Sequence, residues 1–192
     1  VLRLPRVAAI NFHDGPLPRY AGLHAPAWAL INREGVHGIT WHQMTGQVDQ
    51  GDILKQATFP IADGETSLTL NTKCYEAAIG SFAELVDELA SGQSNPVCHV
   101  VDRSSYHGRI DRPLAAATLS WDRPAAELAA LARALDFGGY ANPMGTPRFA
   151  VGDEVVLSPS LVVAEPAAGA APGTIVGIES AKLRIAAGDN VV

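Results

Sequence analysis

Apolar and polar positions divide the first half of the chain into short strands and two helices. The first apolar run ends in Asn11-Phe12-His13 and changes at once to Gly and Pro residues, as a buried strand does where it leaves its sheet. Thr66 fits the N-cap of a long helix with regular apolar spacing. The predicted elements are, in order, a helix over 26–35, strands over 38–44 and 52–61, and a helix over 66–91 whose apolar face carries Tyr75, Ile79, Phe82, Val86 and Leu89.

The second half has a different pattern, with one helix and several short β-rich runs. Residues 96–113 are polar and rich in Arg, His, Gly and Asp, which is typical of a linker. An Ala-rich helix is predicted over 124–135. Beyond it, runs separated by Gly, Pro and Ala predict a small antiparallel barrel or sandwich. These runs cover 148–150, 155–163, 174–178 and 182–187.

The strand that ends at His13 predicts an α/β fold with its site at a sheet edge. We expect a parallel strand here, because the active sites of open α/β sheets lie at the carboxyl ends of their strands. Parallel neighbours need crossover helices, and no strand–helix repeat precedes Ala8. We therefore expect that the amino-terminal half of this domain is missing from the sequence.

Composition limits the class of protein. The 192 residues are 47% hydrophobic and 18% charged, which is typical of a globular domain. No apolar run approaches the roughly 18 residues of a membrane span, and no signal-peptide pattern is seen, so we expect a cytoplasmic protein. A net charge of −6 counts against a nucleic-acid partner. The two cysteines lack metal-ligand spacing, so we expect neither a metal site nor a disulfide.

Two polar side chains at the end of the first strand form the candidate site. Asn11 and His13 are two residues apart, so in an extended chain both project to one side while Phe12 points to the other. An imidazole can take up and pass on a proton near neutral pH, and a carboxamide can donate to a developing oxyanion without carrying charge. Taken singly, an Asn is usually a turn former and a His a partly buried structural side chain.

This segment resembles the Asn-x-His-x-Ser-Leu-Leu-Pro signature of the folate-dependent formyltransferases, the family of methionyl-tRNA formyltransferase. A second segment, Asp49-Gln50-Gly51-Asp52-Ile53-Leu54, is similar to the family's Asp-x-Gly-x-Ile-Leu element in order and spacing. The sequence of residues 13–22 most resembles that of the formylation domains of nonribosomal peptide synthetases. The resemblance implies a Rossmann-like formyltransferase core over 1–95, a linker over 96–113, and a helix with a β-rich OB-like subdomain over 114–192.

The resemblance also implies a one-carbon transferase that moves a formyl group from N10-formyltetrahydrofolate to a primary amine without a metal. By its motifs, Asn11 would stabilise the oxyanion, His13 would accept a proton from the amine, and Asp49 would orient His13. The folate would contact Leu17, Tyr20, Gly22, Gln47 and Val48. His42 is expected to be an ordinary strand residue.

Three acceptor amines are left open. The sequence of the motif favours an aminoacyl group on a carrier protein. Other assembly-line domains would then be neighbours of this domain. A free small-molecule amine, such as an amino sugar or hydroxyornithine, comes second, and methionyl-tRNA third because Ala21 replaces an Arg common in tRNA-directed members. Gly15 and Pro16 replace the Ser-Leu of the signature, which removes a serine hydroxyl. A non-catalytic scaffold, degenerate or fragmentary, is the alternative from another class.

Overall fold

The computed structural model describes residues 2, 4–98, 105–158, 160–165, 169–180 and 182–192. The chain divides into two compact units. The first consists of Val1–Ala29 with Glu34–Asp111, and the second of Leu30–Arg33 with Arg112–Val192. Along the first part of the chain the elements are β1 (Ile10–His13), β2 (Ala21–Gly22), α1 (Ala25–Ile31), β3 (Val36–Gln43), β4 (Ile53–Pro60), α2 (Ser67–Ala90) and β5 (Tyr106–His107).

A three-stranded antiparallel sheet, in the order β1-β3-β4, is the framework of the first unit. The register of β1 on β3 sets Asn11 opposite His42 and His13 opposite Thr40. The parallel neighbours that we expect for β1 are not found among the described residues, where the partner of β1 is the antiparallel β3. A parallel neighbour on the other side of β1 stays a prediction, because it would belong to the amino-terminal half that we expect to be missing. A parallel pairing occurs between the short strands β2 and β5.

Helix α2 begins and ends where the sequence predicts, but it buries a different face. The Thr66 side chain caps it by accepting from the Thr69 N–H, and the Thr69 hydroxyl accepts from the Thr66 N–H, so two otherwise unpaired donors are satisfied. The buried residues of the helix include Leu70, Cys74, Ala78 and Leu85. The predicted apolar face is largely exposed: the exposed large side chains include Tyr75, Ile79, Phe82 and Val86. Smaller residues face the sheet because they permit close packing on Ile39, which is fully buried.

The predicted linker contains ordered segments at both of its ends. Val97 makes an isolated bridge with Ile53, and β5 pairs with β2. The ring of His107 stacks on Trp28 with centroids 4.2 Å apart. Residues 99–104 of the predicted linker lie outside the described residues. The domain boundaries at 95 and 113 stay a prediction.

The second unit has an apolar core between one helix and two hairpins. Its elements are a 3₁₀ turn (Leu114–Ala117), α3 (Ala125–Ala134), β6 (Arg148–Val151), β7 (Glu154–Leu157), β8 (Ile175–Glu179) and β9 (Lys182–Ile185). Strand β6 pairs with β7 and β8 with β9, both antiparallel. In the described residues these are separate two-stranded sheets, so the OB-like arrangement stays a prediction. Leu128, Phe149 and Ile185 belong to the core cluster, and each such side chain contributes about 1.5–3 kcal/mol when fully buried.

Among the helices in the described parts of the chain, none combines the length and the apolar character needed to cross a membrane.

Candidate active site

The carboxylate of Asp49 lies beside the imidazole ring of His13. Asp49 Oδ2 is 3.5 Å from His13 Nδ1, and the two side chains are 7% and 5% exposed. Strand β1 ends at His13, and the loop after β3 carries Asp49 in a left-handed backbone conformation, with φ at 53°, which Asp tolerates better than most residues. The structure thus brings together two of the three predicted catalytic residues, and both are withdrawn from bulk water.

Hydrogen bonds hold Asp49 as an anion. The backbone N–H of Gly22 donates to Asp49 Oδ2 at 2.8 Å, and His42 Nε2 lies 3.4 Å from Oδ1. Burial raises the pKa of the Asp49 carboxyl, but the His42 ring, the Gly22 N–H and the nearby His13 together bring that pKa below its ordinary value. The site therefore keeps a buried negative charge between two imidazole rings.

The ring of His13 has one nitrogen that is already committed and one that faces the carboxylate. Its Nε2 is 2.7 Å from the backbone carbonyl of Tyr20, and Nε2 must carry a hydrogen because a carbonyl only accepts. The neutral ring therefore has its lone pair on Nδ1. This nitrogen faces Asp49 Oδ2 at 3.5 Å and Asp14 Oδ1 at 3.9 Å. The ring nitrogen that could take up a proton is therefore the one that faces the two carboxylates.

Asn11, the third predicted catalytic residue, joins the site through His42. Asn11 Nδ2 is 3.2 Å from His42 Nε2, across the β1–β3 pair. His42 Nδ1 is 2.9 Å from the Gln43 carbonyl, so Nδ1 carries the hydrogen of a neutral ring and Nε2 accepts from Asn11. A protonated His42 would instead donate from Nε2 to Asp49. The His42 ring thus lies between the carboxamide and the carboxylate, and its neutral form is bonded to the carboxamide.

The loop after His13 is anchored by Thr40 on β3. The buried Thr40 hydroxyl donates to the Gly15 carbonyl at 2.8 Å and accepts from the Leu17 N–H at 3.0 Å and from Gln56 Nε2 at 2.9 Å. Gly15 packs so tightly that a Cβ at this position would lie 2.8 Å from His13 Nε2. Because the loop also supplies the Tyr20 carbonyl, its anchoring sets the orientation of the His13 ring.

The part of the chain that carries this site is similar to a known family. Residues 1–86 match the family model described as formyl transferase. The amino-terminal part of this chain matches the formyl transferase family. The match contains all three residues of the predicted catalytic set, Asn11, His13 and Asp49, together with the loops that carry them.

Solved structures, including those of sugar N-formyltransferases, share the fold at low sequence identity. WlaRD, a sugar 3N-formyl transferase crystallised with dTDP and 5-N-formyl-THF, is similar with a TM-score of 0.74, 20% identity, 95% coverage of this chain and 62% of that chain. An N-formyltransferase from Helicobacter canadensis, in complex with folinic acid and dTDP-3-aminofucose, is similar with a TM-score of 0.73 and 19% identity. The match covers 95% of this chain and 63% of that chain. HypX from Aquifex aeolicus, in complex with tetrahydrofolic acid, is similar with a TM-score of 0.70 and 17% identity. The match covers 96% of this chain and 31% of that chain. The chain spans about three fifths of the first two proteins.

The five residues that the family resemblance assigns to the folate fall into two groups. Leu17, Tyr20 and Gly22 belong to the anchored loop and to β2: the first two side chains are buried, and the Gly22 N–H is used by Asp49. Gln47 and Val48 are exposed on the loop that carries Asp49. In the described residues no group of three His, Cys, Asp or Glu side chains is placed to hold a metal ion. Folate contacts at these residues stay a prediction.

His42 is the residue of this site whose contacts sequence reasoning missed. It lies on a strand, as expected, but its side chain is 3% exposed and touches both Asn11 and Asp49. The available signal was the pair Thr40 and His42, two polar residues that alternate with the apolar Ile39 and Trp41. That spacing repeats the one between Asn11 and His13 on the neighbouring strand.

Proposed function

We propose that this chain transfers a formyl group from N10-formyltetrahydrofolate to a primary amine, with Asn11, His13 and Asp49 as the catalytic residues. The observation that carries the proposal is the buried contact between Asp49 Oδ2 and His13 Nδ1 at 3.5 Å. It sets a carboxylate beside the ring nitrogen that takes up the proton in the proposed reaction. The formyl transferase match over residues 1–86 supports the class of reaction.

In this proposal His13 accepts the proton of the attacking amine at Nδ1. Its Nε2 is unsuited to this task because it already donates to the Tyr20 carbonyl at 2.7 Å. The imidazolium that forms has Asp49 beside it, whose low pKa keeps the carboxylate ionised. Asp49 therefore lies beside the charge of the imidazolium, the Tyr20 carbonyl holds the ring in place, and a positioned general base of this kind contributes about 10²- to 10⁴-fold to a rate.

Asn11 supplies a hydrogen-bond donor for the charge that develops on the formyl oxygen. One N–H of Asn11 Nδ2 points to His42, which leaves the other N–H available. Asn11 is the least buried of the three catalytic residues, so a substrate can reach it. A preorganised donor of this kind lowers the barrier by about 2.7–4 kcal/mol.

The formylated folate, when bound, supplies the formyl group that is transferred. Gln47 and Val48 fit the role of direct contacts because they are exposed on the loop that carries Asp49. Leu17 and Gly22 fit a supporting role, since Leu17 is buried and the Gly22 N–H holds Asp49. Tyr20 holds His13 through its carbonyl, while its hydroxyl donates to Glu34 at 2.7 Å.

For the acceptor we propose an aminoacyl group on a carrier protein, which the sequence of residues 13–22 favours. A free amino sugar is a second candidate, favoured by the similar fold of the Helicobacter canadensis enzyme, which was crystallised with dTDP-3-aminofucose. The net charge of −6 counts against tRNA.

The test is to incubate the chain with N10-formyltetrahydrofolate and each acceptor class, then detect formylated product by mass spectrometry. Formylation of a carrier-bound aminoacyl group supports the first acceptor, and formylation of an amino sugar only supports the second. Calorimetric titration with a stable formylfolate analogue separates the alternatives further. Failure to bind the analogue, together with no product from any amine, would contradict the enzyme and favour a scaffold.

A further inference from the structure

The ring of His42 occupies a position between two residues of the proposed catalytic set. We propose that His42 is a positioning residue: its neutral ring accepts from the Asn11 carboxamide and so fixes the orientation of that amide beside the Asp49 carboxylate. This inference rests on the proposed formyl transfer, because it assigns to His42 the task of holding the oxyanion donor of that reaction.

The contacts of His42 define its proton positions. Nδ1 lies 2.9 Å from the Gln43 carbonyl, which requires a hydrogen on Nδ1. The lone pair of the neutral ring is then on Nε2, which lies 3.2 Å from Asn11 Nδ2 and 3.4 Å from Asp49 Oδ1. The backbone of β3 thus selects the tautomer of His42, and the tautomer selects which end of the Asn11 amide faces His42.

Asn11 needs such a partner because its own torsion does not fix the amide. The last torsion of an Asn side chain is broad and nearly two-fold, so its oxygen and its NH₂ group can exchange places at little cost. An oxygen turned toward the formyl oxygen would repel the charge that the NH₂ group should stabilise. Acceptance of one N–H by His42 Nε2 removes this ambiguity and leaves the second N–H in a defined direction.

A second buried histidine on the same strand shows that burial alone does not give this role. His37 is fully buried, and its Nε2 donates to the Asp14 carbonyl at 2.8 Å. Its other ring nitrogen has no hydrogen-bond partner among the residues that the structure describes. His37 therefore supports the loop after His13, whereas His42 makes side-chain contacts with two of the proposed catalytic residues.

Amide substitutions at position 42 separate positioning from packing. His42→Gln places an amide group near the site of Nε2 and can still accept from Asn11, whereas His42→Asn reaches only the site of Nδ1. We expect His42→Asn and His42→Leu to lower kcat about 10- to 100-fold with the KM for the formyl donor unchanged, and His42→Gln to stay within about threefold of the wild type. Equal losses in all three folded variants, or losses confined to KM, would overturn the proposal.

A second measurement does not depend on turnover. In ¹⁵N-labelled protein above neutral pH, long-range NMR spectra should show His42 Nδ1 protonated and Nε2 unprotonated. A scalar coupling between Asn11 Nδ2 and His42 Nε2 should report the hydrogen bond between them. A protonated Nε2, or no coupling in spectra that resolve both nitrogens, would overturn the proposal. If this coupling is seen while no amine is formylated, the proposed function fails and the positioning contact stands.

Discussion

The two compact units bury different kinds of side chain. In the described residues, every buried polar or charged side chain lies in the first unit; the set is His13, His37, Thr40, His42, Asp49, Glu65 and Ser67. The core cluster of the second unit is apolar throughout; its buried members are Leu119, Ala125, Leu128, Phe149, Ile185, Ala187 and Val192. Burying these polar groups costs desolvation free energy in the first unit, and the apolar core cluster of the second unit carries no such cost.

The buried polar side chains of the first unit favour it as the location of the proposed active site. A buried polar group that loses its partner costs about 1–3 kcal/mol, so a set of them persists only where each is bonded or serves a function. Around Asp49 the bonds form one connected group that includes His13, His42 and the Gly22 N–H. The proposed site therefore belongs to the first unit, and the core of the second unit contributes stability through apolar burial.

The largest expected effect is the loss of turnover on His13→Ala. Removing the proposed proton acceptor should lower kcat about 100- to 10,000-fold, while the folded structure is retained. The measurement is product formation by mass spectrometry, with the thermal midpoint as a check on folding. Glu179→Gln, an exposed change in the second unit, is the control and should leave kcat unchanged. A fully active His13→Ala variant would refute the assignment of the base.

A core substitution in the second unit should lower the stability of the protein and leave its turnover unchanged. Leu128 is 2% exposed within the apolar cluster, so Leu128→Ala should lower the free energy of unfolding by about 2–5 kcal/mol. Denaturant unfolding measures this loss. If the units differ as described, kcat per folded molecule should stay near the wild-type value; a large fall in kcat of the folded enzyme would break the comparison.

Gly15→Ala should disturb the site without removing any functional group. The added Cβ would lie 2.8 Å from His13 Nε2 and 3.1 Å from the Tyr20 carbonyl, so the ring and the carbonyl must separate. We expect kcat to fall about 10- to 100-fold. Gly46→Ala is the matched control, because a Cβ there would meet nothing within 4 Å. Equal activity of the two variants would show that the Tyr20 contact does not matter.

The smallest expected effect is the dependence of stability on pH through His37. Burial lowers the pKa of His37 below 6.5, against the opposing effect of its bond to the Asp14 carbonyl. Below pH 6.5 the unfolded chain therefore binds more protons than the folded one, and stability falls as the pH drops. The slope from this residue reaches at most about 1.4 kcal/mol per pH unit. In His37→Leu that part of the slope should vanish; an unchanged slope would contradict the assignment.

Local elements of the fold could be predicted from the sequence because their signals are local. The Thr66 cap, the apolar spacing of α2 and the strands before and after Asp49 all follow from neighbouring residues. The buried face of α2 could not be predicted reliably, because Leu70, Cys74 and Ala78 compete with a larger exposed set, and only the shape of the sheet decides between them.

The catalytic candidates could be named from motifs, but their connection could not. Which residue faces Asn11 depends on the register of β1 on β3, and a one-residue slip would replace His42 with a residue that points to the opposite face. The antiparallel direction of β3 is likewise a long-range property of the chain. For this reason the sequence reveals the set Asn11, His13 and Asp49 but not the imidazole that links Asn11 to Asp49.

The central claim, that Asp49 acts on the reaction through His13, is tested most directly by a double-mutant cycle in single-turnover formyl transfer. The cycle compares His13→Ala, Asp49→Asn and the double variant. If the two residues work as one unit, the double variant should lose no more activity than His13→Ala alone. Losses that multiply would contradict the claim, because they would show that each residue acts independently.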